Sequence, residues 1–413
     1  MSHPGKGVNM QRYLLPALAA SLAAADSAAA QTVTLEPVAE ARLRYEGVEQ
    51  DGLPRRSDAV TLRARAGVQA TADRLSALIE GEGLLAIGTH YFDGLAGDTG
   101  RPTIADPQNV ELNRAQLSYV VPDRATVTAG RQYLALADQR FVGAAKFRQN
   151  AQTFDAVRAQ GTIAPKLTLD VSYAWSLRTI NGIDGRGARP QAVSGDNVFA
   201  LLGYASPIGT LTGFAYLIDA DEAAYQGYRL SSQTYGVRLA GKRALGSGYA
   251  LDYVASYARQ SDYARNPNNY AADYWLAEAK LSRRAISATI GYEILGADNG
   301  RALTSVQTPY GAVFGFQGWA DKFTTTPADG VRDVYAGVGA RWPSLGVARG
   351  VELSAFAHHY DSDRRVRRYG DELNLLASAT LGGVTWSARC ADYMADRFGA
   401  DTRKAWLTAE WAL

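Results

Sequence analysis

Between Val60 and Ala70 the even positions Val60, Leu62, Ala64, Ala66, Val68 and Ala70 are apolar, and the odd positions Thr61, Arg63, Arg65, Gly67 and Gln69 are polar or small. A period of two places alternate side chains on opposite faces of an extended strand. The same pattern returns along the chain. Ala39, Ala41, Leu43 and Tyr45 alternate with Glu40, Arg42, Arg44 and Glu46. Leu167, Leu169, Val171, Tyr173, Trp175 and Leu177 alternate with Thr168, Asp170, Ser172, Ser176 and Arg178, and Ile286, Ala288, Ile290, Tyr292 and Ile294 form another such set. Because the polar face keeps carrying arginine and glutamate, the pattern points to a closed sheet with lipid outside and water inside.

Punctuation supports this reading. Short turns at Ala72-Asp73-Arg74, Ala164-Pro165-Lys166, Ser206-Pro207, Leu245-Gly246-Ser247 and Leu381-Gly382-Gly383 alternate with longer polar connections such as His90 to Asn109 and Thr179 to Asp196. The expected fold is all-β, a transmembrane antiparallel β-barrel of about 18 strands with short periplasmic turns and long extracellular loops. That width leaves room for an aqueous channel, and an even strand number puts both termini on the periplasmic side. Ala405, Leu407, Ala409, Trp411 and Leu413 share one parity, as a closing strand read by the outer-membrane assembly machinery would.

Within 413 residues no segment after the N-terminus approaches the roughly 20 apolar residues of a spanning helix, which argues against a helical membrane protein. Residues 1–30 read as a secretory signal: Lys6 and Arg12 precede an apolar core, Tyr13 to Ala25, and small residues Ala28-Ala29-Ala30. Residues 31–413 are then the barrel, bound for the outer membrane with its lipid and lipopolysaccharide. Removing Lys6, Arg12 and Asp26 changes the formal net charge from +2 to +1. A nearly neutral chain is not built for nucleic acid. Cys390 is the single cysteine and sits on the apolar parity beside Trp386 and Ala388, so it reads as a small lipid-facing residue.

Candidate chemistry lies on the polar parity. Arg42, Arg44, Arg63, Arg65, Arg114, Arg158, Arg178, Arg238, Lys280 and Lys404 are expected to share the lumen with Glu40, Glu80, Glu82, Asp170, Asp252, Glu278, Glu293, Glu352 and Glu410. Most such charges solvate the wall and pair across strands; arginines left unpaired would select anions. Gly130 to Arg158 breaks the alternation, carries Arg131, Arg140, Lys146, Arg148 and Arg158, and mixes in Phe141, Phe147 and Phe154. It reads as a strand pair whose loop packs against or into the barrel, the best candidate for a ring of unpaired arginines. The longest connection, Gly296 to Gly330, contains Trp319, Asp321, Lys322 and Phe323, and suits either a gate at the mouth or a clamp on the rim.

Several runs here resemble the alginate export outer-membrane family: Gly130-Arg131-Gln132, Asp138 to Gly143, Arg148-Gln149-Asn150, Gln152 to Asp155, Ser232 to Gly236, Gly291-Tyr292-Glu293, Gly318 to Phe323, Thr326-Pro327 and Glu372. The resemblance implies an 18-stranded, arginine-lined barrel that conducts anionic solutes, uronate polymer in the best-known members. A periplasmic partner delivering solute would fit it, and no cofactor is implied. The chain is shorter than those exporters, and a general diffusion porin is the alternative.

Other readings carry less. Gly236 to Lys242 matches most of a phosphate loop but lacks the Ser/Thr and lies along a strand. His358 and His359 point to opposite faces, so they do not chelate together. Acidic loops at Asp219-Asp221-Glu222 and Asp361-Asp363 could hold calcium but are more simply solvated. An outer-membrane hydrolase would have to use His358, Ser354 and Glu352, which share the inward parity; the expectation is no enzyme, no catalytic residue and no metal.

Overall fold

The computed structural model describes residues 32–221 and 227–413, so residues 1–30, expected to be a signal segment, and Glu222 lie outside the described residues. Eighteen antiparallel strands each pair with the next in sequence, and the first pairs with the last. Closure leaves no unpaired edge for lipid to meet. Among the described residues no α-helix is present.

Alternation decides the faces. In β1 (Thr34–Gln50) and β2 (Ser57–Ala72), Arg42, Arg44, Arg63 and Arg65 point inward and are buried, while Leu43, Leu62 and Val68 lie exposed on the outside. The same holds in β3 (Leu75–His90), where Glu80 and Glu82 are inside and Ile79, Leu85 and Ile87 outside. Trp175, Trp275, Trp386 and Trp411 are also exposed on the outer wall, together with Cys390. This apolar exterior is what hydrocarbon requires.

Connections alternate as expected. One end carries turns such as 73–74, 165–166 and 382–383, and the other carries the long segments 91–108, 133–152, 179–191 and 296–330. Both described chain ends lie at the short-turn end. Gly236 to Lys242 sits inside β10 (Ser232–Gly246), so the phosphate-loop match has no strand–helix context.

Bulges shift the alternation locally. Between β7 (Leu167–Arg178) and β8 (Ala192–Ser206) the register slips between Ala174 and Ser176. Leu177, expected outside with Tyr173 and Trp175, is therefore turned inward and buried. The barrel interior also differs from an open water-filled tube. Leu134, Leu136, Phe141, Val142, Val306 and Tyr310 of two inward loops form one apolar cluster with the wall residues Phe154, Phe199, Phe214, Tyr216 and Tyr274.

Candidate solute path through the lumen

Two long connections build the constriction. One is the β5–β6 loop, residues 133–152, between β5 (Ala125–Gln132) and β6 (Thr153–Ala164). The other is the β13–β14 loop, residues 296–330, between β13 (Ile286–Leu295) and β14 (Val331–Leu345). They are zipped together: the Gly143 amide donates to the Tyr310 carbonyl at 2.9 Å, and the Ala312 amide to the Gln139 carbonyl at 3.0 Å. Gln152 Nε2 donates to both Gly143 O and Tyr310 O at 2.9 Å, and the Phe147 and Phe314 rings stack.

The loops are also tied to the wall. Gln260 and Gln307 exchange two hydrogen bonds, 2.9 and 2.7 Å. Asp321 accepts from Arg148 and, at 2.9 Å, from Lys404 of β18 (Thr402–Ala412). Glu372 of β16 (Arg368–Leu381) accepts from the backbone amides of Trp319 and Ala320, the latter at 2.9 Å. The turn needs Gly318 at φ +78°, where a side chain would strike Glu372 and Tyr360. Phe323 is buried among Tyr360, Tyr369, Tyr393 and Phe398. Of the two roles open to Trp319, Asp321, Lys322 and Phe323, these contacts are those of a clamp.

Beside the constriction stands a basic wall with its counter-charges. Arg42 donates to Glu410 at 2.7 Å, Arg63 to Glu40 at 2.6 Å, and Arg65 to Glu40 at 2.6 Å and also to Glu82. Arg114 of β4 (Asn109–Val121) forks onto Glu80 at 2.6 and 2.9 Å. Arg44 lies 4.0 Å from Asp106, and Arg148 3.6 Å from Glu46. Charges this enclosed persist because they are paired.

Among the described residues, Lys146, Lys322 and Arg389 near this wall have no acidic partner within ion-pair distance. Two of them rest on aromatic faces of the β5–β6 loop instead. Lys146 Nζ is 4.3 Å from the Tyr133 ring, which Arg114 also approaches at 5.0 Å; Arg389 is 5.7 Å from the Phe147 ring, which Arg44 covers at 4.4 Å. A ring holds a cation without cancelling its charge. Lys322 donates to Thr402 and Gln50, and burial, then repulsion from Lys404, pulls its amine down to about 8.

Raising the pH from 7 to 9 should therefore remove one positive charge from the path and lower anion preference, measured as reversal potential across a salt gradient. A flat pH profile would count against Lys322. The stability effect has a definite sign. The folded-state value lies below the ordinary 10.5, so between about pH 8 and 10.5 the unfolded chain holds more protons and stability rises with pH.

The remaining candidates fall elsewhere. Arg158 pairs with Asp170 at 2.5 Å on the inward face, and Arg238 with Asp138 at 3.2 Å. Arg140 is buried against Glu293 at 3.0 Å and Gln317 at 2.6 Å, so it fixes the loop to β13. Arg131 is a correction. Its register partners are Ala115 and Asp155, on the strand face opposite Gln132 and Phe154, and it is forked onto Asp155 at 2.8 and 3.0 Å. It does not line the lumen.

A second sector is acidic. Glu278, Glu293, Asp333 and Asp138 line a cavity of about 290 Å³ with Arg238, His358, Phe316, Trp319, Tyr335 and Phe356. His358 Nδ1 is 3.0 Å from Asp333. Ser354, four residues along β15 (Ala348–Asp361), is about 13 Å away at strand spacing. The Ser/His/acid set is therefore not assembled. Among the described residues no cluster of His, Cys, Asp and Glu has metal-binding geometry.

No protein-family model matches the chain, and no curated protein matches it. Solved structures do. Pseudomonas aeruginosa OpdL aligns at TM-score 0.67 with 18% identity over 92% of this chain and 98% of that one. OccK9 (OpdG) of the same organism aligns at 0.68 with 16% identity, covering 92% and 98%. OccK2 (OpdF) of P. aeruginosa, solved in complex with glucuronate, aligns at 0.67 with 12% identity, covering 92% and 98%. The shared architecture is the 18-stranded porin barrel. This narrows the resemblance read from the motifs: the matches support a porin-type barrel and give no support to alginate export in particular.

Proposed function

We propose that the chain is an outer-membrane porin for small anionic solutes, with both termini in the periplasm and the loop-bearing end outside. The observation that carries this reading is the set of lumen cations, Lys146, Lys322 and Arg389, that have no acidic partner within ion-pair distance among the described residues and stand beside a wall of paired arginines. Unpaired, partly desolvated cations at a narrow point replace some of an anion's hydration and repel cations. The Opd and Occ porins share the fold, and one of them was solved with glucuronate, a small carboxylate. Polymer export is disfavoured by the two loops, which cross the lumen and are bonded to each other and to the wall. Lipid and lipopolysaccharide around the barrel, and the assembly machinery that inserts it, are the partners this reading requires.

The test is the reversal potential of the purified, refolded barrel in planar bilayers across a salt gradient. Anion preference supports the reading; cation preference overturns it. Arg131→Gln, which touches an outward-parity ion pair, should leave the preference unchanged, whereas Lys146→Gln should reduce it. The reverse ranking would relocate the selective point.

A further inference from the structure

At the long-loop end a cavity of about 330 Å³ lies above the zipped loops, between the β7–β8 loop (residues 179–191) and the β13–β14 loop. That is the small end of the range for small-molecule pockets, roughly 300–1,000 Å³, with room for a monosaccharide and not for a chain. Its polar lining is largely uncommitted. Among the described residues Arg189 has no acid within ion-pair distance, and its guanidinium lies across Gly94, which has φ +96° and no room for a side chain. Asn181 spends its amide hydrogens on Thr179 Oγ1 at 3.0 Å and Pro190 O at 3.2 Å, leaving Oδ1 to accept. Thr324 and Thr325 are exposed, with hydroxyls that bond to no other described residue. The only acid in the lining, Asp321, is already held by Arg148 and Lys404. The nearby Phe314 ring is stacked on Phe147 and offers no open face on that side.

We propose that this cavity is a first docking site for a sugar-sized hydroxy acid, whose carboxylate meets Arg189 and whose hydroxyls meet Asn181, Thr324 and Thr325. A free cation selects the carboxylate, and several short polar groups around it select hydroxyls over a bare or aromatic acid. The site rests on the porin reading and adds to it a capture step before the constriction.

The experiment is block of single-channel current by D-glucuronate, with acetate as the unhydroxylated comparison, on the full barrel in planar bilayers. Arg189→Gln should weaken glucuronate block by about tenfold, the effect of losing one charge-assisted hydrogen bond. Thr324→Val with Thr325→Val should weaken glucuronate block and spare acetate block. Arg301→Gln, an exposed change in the same β13–β14 loop, serves as control. Wild-type glucuronate block in Arg189→Gln would overturn the site. An anion-preferring channel with no glucuronate block at all would also overturn it while leaving the porin reading standing. A wild-type barrel without anion preference would overturn the porin reading itself.

Discussion

Replacing Lys146 and Arg389 together by glutamate is expected to reverse the sign of the reversal potential, turning an anion-preferring channel into a cation-preferring one. Each substitution changes the local charge by two, and among the described residues neither position has an acid within ion-pair distance. Most other lumen arginines are different. Arg42, Arg63, Arg65 and Arg114 each share a carboxylate, so losing one leaves its partner behind and partly rearranges the rest. An arginine paired this closely has its charge largely offset by the carboxylate beside it, whereas a cation held by a ring keeps its whole charge facing the path. Tyr133→Leu and Phe147→Leu should act in the same direction but more weakly, by freeing the cations to move. A double glutamate variant that keeps anion preference would show that the selective point lies elsewhere.

Asp321→Asn is expected to have the largest structural effect. Its carboxylate joins Arg148 of one inward loop to Lys404 of the wall; burial pushes it up, but Lys404 and then Arg148 outweigh that and hold it ionised, below the usual carboxylate range. Neutralising it leaves Lys404 without its acidic partner and Arg148 with Glu46 alone. Breaking one partner of a buried pair costs on the order of 3–5 kcal/mol. The two loops should loosen, giving larger and noisier open-channel currents and a lower melting temperature. Asp321→Asn with Lys404→Met removes the stranded charge and should recover part of both. Unchanged conductance and melting in the single variant would show that the clasp is not what holds the loops.

The barrel was legible because one face of nearly every strand is apolar and the other charged, a signal that repeats often enough to overcome its weakness in any single strand. The inward loops were legible too: Gly130 to Arg158 breaks the alternation where β5 stops at Gln132, and 296–330 is the connection expected. What parity alone misplaces is local. Leu177 lies beyond a bulge. The lumen expectation for Arg131 comes from the irregular stretch Gly130 to Arg158 and not from parity; Arg131 keeps the outward parity of Val127 and Ala129 in β5. Periodicity cannot see a bulge, because one extra residue flips every side chain after it. Arg389 was within reach, since it stands next to the outward Cys390 and so must face in. The roles of Tyr133 and Phe147 were not, because a ring meeting a cation 13 or more residues away is a tertiary event.

The ion-pair network has a position as well as a charge. Arg42 reaches from the first strand to Glu410 of the last, Arg63 reaches Glu410 from the second, and Lys404 of the last strand binds the loop clasp that Arg148 brings towards Glu46 of the first. These contacts straddle the line where the cylinder is sealed. On the porin reading proposed above, the filter would come into being only when the first and last strands meet. A half-inserted barrel would then offer no selective passage, and completion of assembly and onset of discrimination would be a single event.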